Sequence, residues 1–432
     1  MNEKVFRDPV HNYIHVNNQI IYDLINTKEF QRLRRIKQLG TSSYTFHGGE
    51  HSRFSHCLGV YEIARRITEI FEEKYPEEWN PAESLLTMTA ALLHDLGHGA
   101  YSHTFENLFD TDHEAITQKI IQSPETEIHQ VLLQVAPDFP EKVSSVIDHT
   151  YPNKQVVQLI SSQIDADRMD YLLRDSYFTG ASYGEFDLTR ILRVIRPVEN
   201  GIAFQRNGMH AIEDYVLSRY QMYMQVYFPP ATRAMEVLLQ NLLKRAKELY
   251  PEDKDFFSRT SPHLLPFFEK NVTLSDYLAL DDGVMNTYFQ LWLTSSDKIL
   301  ADLSQRFVNR KVFKSITFSQ EDQLASMRKL VEDIGFDPDY YTAIHKNFDL
   351  PYDIYRPESE NPRTQIEILQ KNGELAELSS LSPIVQSLAG RRHGDNRFYF
   401  PKEMLDQNSI FTSITQQFLH LIENDHFTPN KN

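Results

Sequence analysis

At 432 residues, with 41% hydrophobic and 24% charged side chains, the chain has ordinary globular usage and exceeds one small core; this excludes a disordered or fibrous protein and points to several lobes or one large helical domain with appendages. Sixty acidic against 44 basic residues give a formal charge of −16, so nucleic acid and anionic membranes are unlikely partners by charge, although a local arginine cluster can still hold a small phosphorylated ligand. Cys57 is the one cysteine, which rules out an intrachain disulfide and a cysteine-based zinc cluster; with no signal-type apolar start and no membrane-length run, the expected location is cytoplasmic.

Residues 4–16 read as a short extended piece interrupted by Asp8-Pro9. A helical stretch with Ile20, Ile21, Leu24 and Ile25 precedes a basic run, Arg32-Leu33-Arg34-Arg35-Ile36-Lys37, expected to be a solvated helix face, and Gly40 to Gly49 reads as a polar loop. From Phe54 to Phe71 the apolar residues keep helical spacing, with His56 starting the stripe. A second helix, Ala82 to Leu96, runs into His94-Asp95, and Gly97 and Gly99 are expected to stop and unwind it. Residues 155–175 read as a third long helix in which Val157, Ile160, Ile164, Asp167 and Tyr171 share a face. Helices follow over Ile212 to Phe228 and Thr232 to Leu249, and Asn200-Gly201 and Asn372-Gly373 read as two-residue hairpin turns. No internal repeat is visible, and the region after about residue 250 carries no chemical signal.

Seven of the 17 histidines (47, 51, 56, 94, 98, 103 and 113) cluster between residues 47 and 113, far more densely than even scatter gives. A lone His-Asp pair is more often a helix end than a ligand pair, but His94-Asp95 at an unwinding helix end, with His56 and Asp167 on two other buried stripes, can converge on one cation. Two imidazoles and two carboxylates suit manganese, iron, zinc, cobalt or magnesium better than calcium or copper(I).

The segments Asp8-Pro9-Val10-His11, Phe30 to Gly40, His51-Ser52-Arg53-Phe54-Ser55-His56, His94-Asp95-Leu96-Gly97-His98-Gly99 with Ser102-His103, His113-Glu114 and Asp165 to Tyr171 together resemble the HD superfamily, and within it the deoxynucleoside triphosphate triphosphohydrolases, over roughly residues 4–230. The resemblance implies a mainly α fold: an HD-domain helical core with small β-hairpins and an α+β C-terminal region. It divides the chain into an N-terminal regulatory segment (1–49), the HD core (50–180), a helical extension completing the active site (181–250) and an accessory region (251–432). It implies a divalent metal on His56, His94, Asp95 and Asp167, and cleavage of a dNTP at its α-phosphorus to deoxynucleoside and inorganic triphosphate.

By the same resemblance, Arg53, Arg168 and Arg219 grip phosphate oxygens. His98, His103 and His113 contact the phosphates or protonate the leaving 5′-oxygen, with Glu106 orienting them. Gln38, Leu39, Tyr171, Asp175 and Tyr227 take the sugar and base. Related enzymes are oligomers, tetramers or dimers, switched on by nucleotides between subunits. Lys4, Val5, Gln31 and Arg34 match that site, implying dGTP or GTP as effector; where vertebrate members carry an acid reading the guanine edge, this chain has Asn26. Arg190 matches a second regulatory pocket whose other basic positions are Gln205 and Asn207 here. The competing expectations are another HD phosphohydrolase (a phosphodiesterase or monophosphatase), a non-catalytic nucleotide sensor, and, on the basic run, single-stranded nucleic acid binding.

Overall fold

The computed structural model describes residues 2–318, 323–345, 365–388, 396–406, 410–423 and 427–429. The fold is mainly helical with small sheets. Strands β1 (Lys4–Asp8) and β2 (Asn12–Val16) form an antiparallel hairpin, followed by α1 (Gln19–Asn26) and α2 (Lys28–Arg32). Helix α3 (Arg53–Lys74) is the longest of the N-terminal half and buries His56, Cys57, Val60, Ile63, Ala64 and Ile67. Its entry is pinned, because Arg53 N donates to Ile36 O and Gln38 N to His51 O, which holds residues 36–39 beside the first turn. Helices α4 (Ser84–Leu93), α5 (His103–Phe109), α6 (His113–Gln122), α7 (Glu127–Leu132), α8 (Phe139–Ile147) and α9 (Lys154–Ile160) lead to α10 (Ala166–Thr179).

The third long helix expected over 155–175 is two helices. Asp165 caps α10 by accepting from Arg168 N at 2.7 Å, and its other oxygen accepts from Ser162 N at 2.8 Å, so side-chain bonds displace the helical ones between residues 161 and 165. Asp167 thereby falls in the first turn of a helix, where the helix dipole favours a carboxylate.

Next come α11 (Leu188–Val194), β3 (Ile195–Val198), β4 (Gly201–Gln205), α12 (Met209–Met222) ending in a π-turn over Tyr223–Tyr227, and α13 (Pro230–Leu249). The tight turn expected at Asn200-Gly201 lies one residue earlier, at Glu199-Asn200: Val198 pairs with Gly201, which opens β4 at φ 143°. The turn at Asn372-Gly373 is longer than expected: Leu369 pairs with Leu375, so five residues form it, with Gly373 at φ 86°. Strand β4 is extended in parallel by β7 (Glu367–Leu369), which pairs with β8 (Leu375–Glu377). A separate antiparallel sheet is ordered β10-β5-β9-β6, from Phe427–Pro429, Lys314–Phe318, Arg397–Phe400 and Ala343–His345.

Two hydrophobic cores result. One is built from the N-terminal 226 residues plus Ile366, Ile368, Leu378 and Val385; the other runs from α13 to Ile422 and receives Ala100, Tyr101 and Phe105 from the first half. The segment after Asp95 therefore lies where the two cores meet. Among the described residues no helix is long and apolar enough to cross a membrane.

The basic run is a solvated face only in part. Arg34 and Arg35 are exposed, Arg34 stacking 3.6 Å over Phe54 and Arg35 pairing with Asp281, and the half-buried Lys37 pairs with Glu50. Arg32 departs from the expectation: it is buried and donates to Leu280 O at 3.1 and 2.8 Å and to His98 O at 2.9 Å.

Candidate metal centre and substrate cavity

His56, in the first turn of α3, has Nδ1 2.8 Å from Asp170 Oδ2, and His94, at the end of α4, has Nδ1 2.9 Å from Ala91 O. Both partners only accept, so each Nδ1 carries a proton, which leaves each Nε2 as the atom that can offer a lone pair to a cation in exchange for its own proton. Both Nε2 atoms are buried and make no hydrogen bond. They face carboxylates instead: His56 Nε2 lies 3.0 Å from Asp167 Oδ1 and 3.8 Å from Asp95 Oδ2, while His94 Nε2 lies 3.6 Å from Asp167 Oδ1 and 3.3 Å from Asp95 Oδ1. Ligand atoms of His56, His94 and Asp95 all fall within 4.8 Å of one another. Buried imidazole nitrogens turned toward carboxylate oxygens are left unsatisfied by the protein, and a divalent cation among them satisfies all four groups.

The electrostatics agree. Although burial opposes the charged ring, Asp167 and Asp170 push the His56 imidazolium up to about 10. Burial likewise opposes ionisation of Asp167, yet His56 and His94 hold it well below the usual carboxylate range. This is a field that favours a cation.

Behind His56 lies Asp170, which no motif singled out. Against its burial, Arg174 first, then His11 and His56, keep it ionised. Arg174 Nε donates to Oδ2 at 2.8 Å and Nη2 to Oδ1 at 3.0 Å, and the same guanidinium reaches Asp8 at 2.9 Å.

Arg53 donates through Nη1 to Asp95 Oδ2 and through Nη2 to Ser102 Oγ at 2.8 Å. Ser102 and its neighbour Tyr101 adopt φ of 46° and 55°, left-handed values at two side-chain-bearing residues, so the turn that aims Ser102 at Arg53 stores strain. Gly97 and Gly99 do not supply the left-handed turn that would unwind the helix. A Cβ on Gly97 would lie 2.0 Å from His113 O, and one on Gly99 2.9 Å from the Tyr277 hydroxyl; they are small because α6 and Tyr277 pass close by.

The surroundings hold this loop from the second core. Tyr277 donates to Gly97 O at 2.7 Å, and Asp282 accepts from Tyr101 N at 3.0 Å and Lys37 N at 2.8 Å. Burial pushes the Asp282 carboxyl up to about 6, despite the two amides that favour its ionised form. Because that lies above the roughly 3.9 of an unfolded aspartate, the native chain keeps a proton the unfolded one releases; the resulting stabilisation is complete below about pH 4 and is lost as pH rises through 6. Asp282→Asn should therefore gain stability relative to wild type by up to about 3 kcal/mol between pH 4.5 and 7 in thermal melts; curves that stay parallel across that window contradict this.

A cavity of about 440 Å³ opens beside Asp95 and Asp167. Arg53, His98 and His113 line it near those carboxylates, and Gln38, Leu39, Tyr171, Asp175 and Tyr227 line it as well. His98 and His113 stack at 4.0 Å, and His113 Nδ1 is 3.1 Å from Glu106 Oε1. Burial and the Arg53 cation push His98 down to about 3, whereas Glu106, against the burial of the ring, raises His113. His113 thus holds a proton more readily than His98. The backbone of His103 begins α5, and its side chain lies outside the described residues.

Asp175 is gripped by Tyr227, whose hydroxyl donates at 2.7 Å, and by His51 Nε2 at 2.7 Å. Gln38 Oε1 is buried and has no hydrogen-bond partner. Of the three expected phosphate arginines, Arg53 lines the cavity, while Arg168 is bonded to Asp165 and Arg219 donates to Gln163 at 2.7 Å. Phe228, Arg233 and Glu236 add a wall that the sequence did not suggest. Of the expected effector residues, Lys4 and Val5 lie on β1, Asn26 ends α1 with its amide on Tyr22 O, Gln31 accepts from Arg34 Nε at 2.8 Å, and Arg190, on α11, donates to Asn207 O at 2.7 Å.

Residues 53–175 match the HD domain and residues 186–426 the HD associated region. The chain is 52% identical over 406 residues to the uncharacterized protein YwfO of Bacillus subtilis, spanning 93% of both chains. It is 29% identical over 281 residues to the deoxynucleoside triphosphate triphosphohydrolase SAMHD1 homolog of Dictyostelium discoideum, covering 61% of this chain and 54% of that one. Its fold matches a crystal structure of a phosphohydrolase from Bacteroides thetaiotaomicron with a TM-score of 0.80 and 26% identity, over 93% of this chain and all of the other.

Proposed function

Because the chain belongs to the HD family of divalent-metal-dependent phosphohydrolases and carries both the HD domain and the HD associated region, we propose that it hydrolyses deoxynucleoside triphosphates to deoxynucleoside and inorganic triphosphate. The observation that supports this most is the continuity of one cavity from the metal ligands Asp95 and Asp167, past Arg53, to Tyr171, Asp175, Tyr227 and Gln38. Such a cavity offers charge for a polyphosphate and a tyrosine-walled, carboxylate-bearing end for a sugar. The relative in Dictyostelium carries the same activity in its name.

A divalent cation held by His56, His94, Asp95 and Asp167 supplies polarisation of a phosphoryl oxygen and acidification of water. The protein's own groups do the rest. Arg53, fixed by Asp95 and Ser102, meets the negative charge that grows on the phosphate. Water forms the new bond to the α-phosphorus as the bond to the 5′-oxygen breaks; the water gives up a proton to solvent, and His113, whose hold on a proton Glu106 strengthens, gives one to the 5′-oxygen. Neutral His98, stacked on His113, donates or accepts a hydrogen bond without adding charge. His103 shares the leaving-group or phosphate role. Asp175, steadied by His51 and Tyr227, accepts from a sugar hydroxyl, with Gln38 and Leu39 against the base side and Tyr171 against the sugar face. Arg168 and Arg219 join the phosphates by exchanging Asp165 and Gln163 for ligand oxygens.

Regulation by dGTP or GTP at Lys4, Val5, Asn26, Gln31 and Arg34, with Arg190 in a second pocket, in a dimer or tetramer, belongs to the same reading. Its support is that β1 leaves Val5 exposed for a partner or ligand. The test is to incubate each dNTP with the full chain and manganese in ¹⁸O-water, with and without dGTP. Inorganic triphosphate carrying the label and an unlabelled deoxynucleoside are expected; pyrophosphate or monophosphate as first product refutes the reading.

A further inference from the structure

The tip of the N-terminal hairpin reaches the metal ligand His56 through a single carboxylate. Asp8 Oδ1 accepts from Val10 N and His11 N, each at 2.9 Å, which folds the turn and aims the His11 ring inward. His11 Nε2 then lies 2.6 Å from Asp170 Oδ1, with side-chain exposures of 1% and 0%. An ionised carboxylate only accepts, so His11 donates. The other oxygen, Oδ2, accepts from His56 Nδ1 at 2.8 Å. Space for the bridge exists because residue 59 on α3 is glycine: a Cβ there would lie 1.8 Å from Asp170 Oδ1.

We propose that His11 is a positioning residue for the metal centre: by donating to Asp170 it fixes the carboxylate that orients His56, so the hairpin sets the affinity for the cation. The proposal rests on the metal reading of the site. Arg174 also binds both oxygens of Asp170, but removing His11 leaves Oδ1 with the longer 3.0 Å bond alone, so the carboxylate is held by the guanidinium and His56 without its shortest contact. His56 is then directed less firmly, and the cost appears in metal binding before it appears in the fold. Partners of ligating histidines are typically worth about 10- to 100-fold in metal affinity.

The experiment titrates the full-length, metal-stripped chain with Mn²⁺ by electron paramagnetic resonance, comparing wild type with His11→Ala, His11→Asn and His11→Gln, and records thermal melts in EDTA. The glutamine amide reaches the Asp170 oxygen that the histidine reaches; the asparagine amide is too short. About tenfold or more weaker binding is expected for the alanine and asparagine variants, recovery in the glutamine variant, and melts that do not follow this order. Affinities within about twofold of wild type, or a glutamine variant as weak as alanine, overturn the proposal. So does failure of both short variants to fold while glutamine binds normally, which would make His11 a folding residue. If the wild type binds no Mn²⁺, the metal reading itself fails and carries this proposal with it.

Discussion

Asp167→Ala is expected to lower metal-dependent hydrolysis by about a thousandfold or more, because a missing ligand removes several kcal/mol of transition-state stabilisation. The carboxylate faces both unsatisfied imidazoles, at 3.0 and 3.6 Å, and Asp95, which faces them too, is already engaged by Arg53. The fold should survive: Asp167 is 29% exposed at the first turn of α10, and the cap and core of that helix belong to Asp165, Met169 and Leu172. Mn²⁺ binding should weaken in parallel with turnover while the melting temperature in EDTA stays close to wild type. Hydrolysis that persists at near wild-type rate in Asp167→Ala would mean that the four side chains are not the catalytic centre.

Gly59→Ala is the substitution expected to damage the protein most. The added methyl would sit 1.8 Å from Asp170 Oδ1 and 2.5 Å from Arg174 Nη2, both parts of a buried ion network that cannot swing away without uncovering charges. Breaking a buried pair of this kind costs about 3–5 kcal/mol, and His56 loses its orienting partner in the same event. We expect a large drop in thermal stability together with loss of Mn²⁺ binding. A variant as stable as wild type would show that the helices part at this point without cost.

The convergence of His56, His94, Asp95 and Asp167 was legible because they lie in segments whose local chemistry is unusual: imidazoles and carboxylates on otherwise apolar stripes. The hairpin near Asn200-Gly201 was legible to within one residue, whereas residues 4–16 read only as an extended piece broken at Asp8-Pro9 and fold as a hairpin. What could not be read was whatever depends on residues distant in the chain. The run Arg32 to Lys37 has the local pattern of a wet helix face, which Arg34 and Arg35 keep; only Leu280 and His98, distant in the chain, draw Arg32 inward. Tyr277 and Asp282 carry no motif, yet they fasten the loop that follows Asp95. The break at 161–165 was hidden because Ile160, Ile164 and Asp167 keep helical spacing across it; the deciding interaction is the Asp165 side chain taking two backbone amides. Asp170 is the instructive case. It stands in the matched segment but looks like any helical acid until His11, 159 residues earlier, is found against it.

The most direct measurement is anomalous diffraction at the manganese edge from crystals of the full chain soaked in Mn²⁺. A peak among His56 Nε2, His94 Nε2, Asp95 and Asp167, within about 2.0–2.3 Å of each, is the expected result. A chain that takes up manganese elsewhere, with the two Nε2 atoms bonded only to water or to each other's carboxylates, would contradict the account at its root.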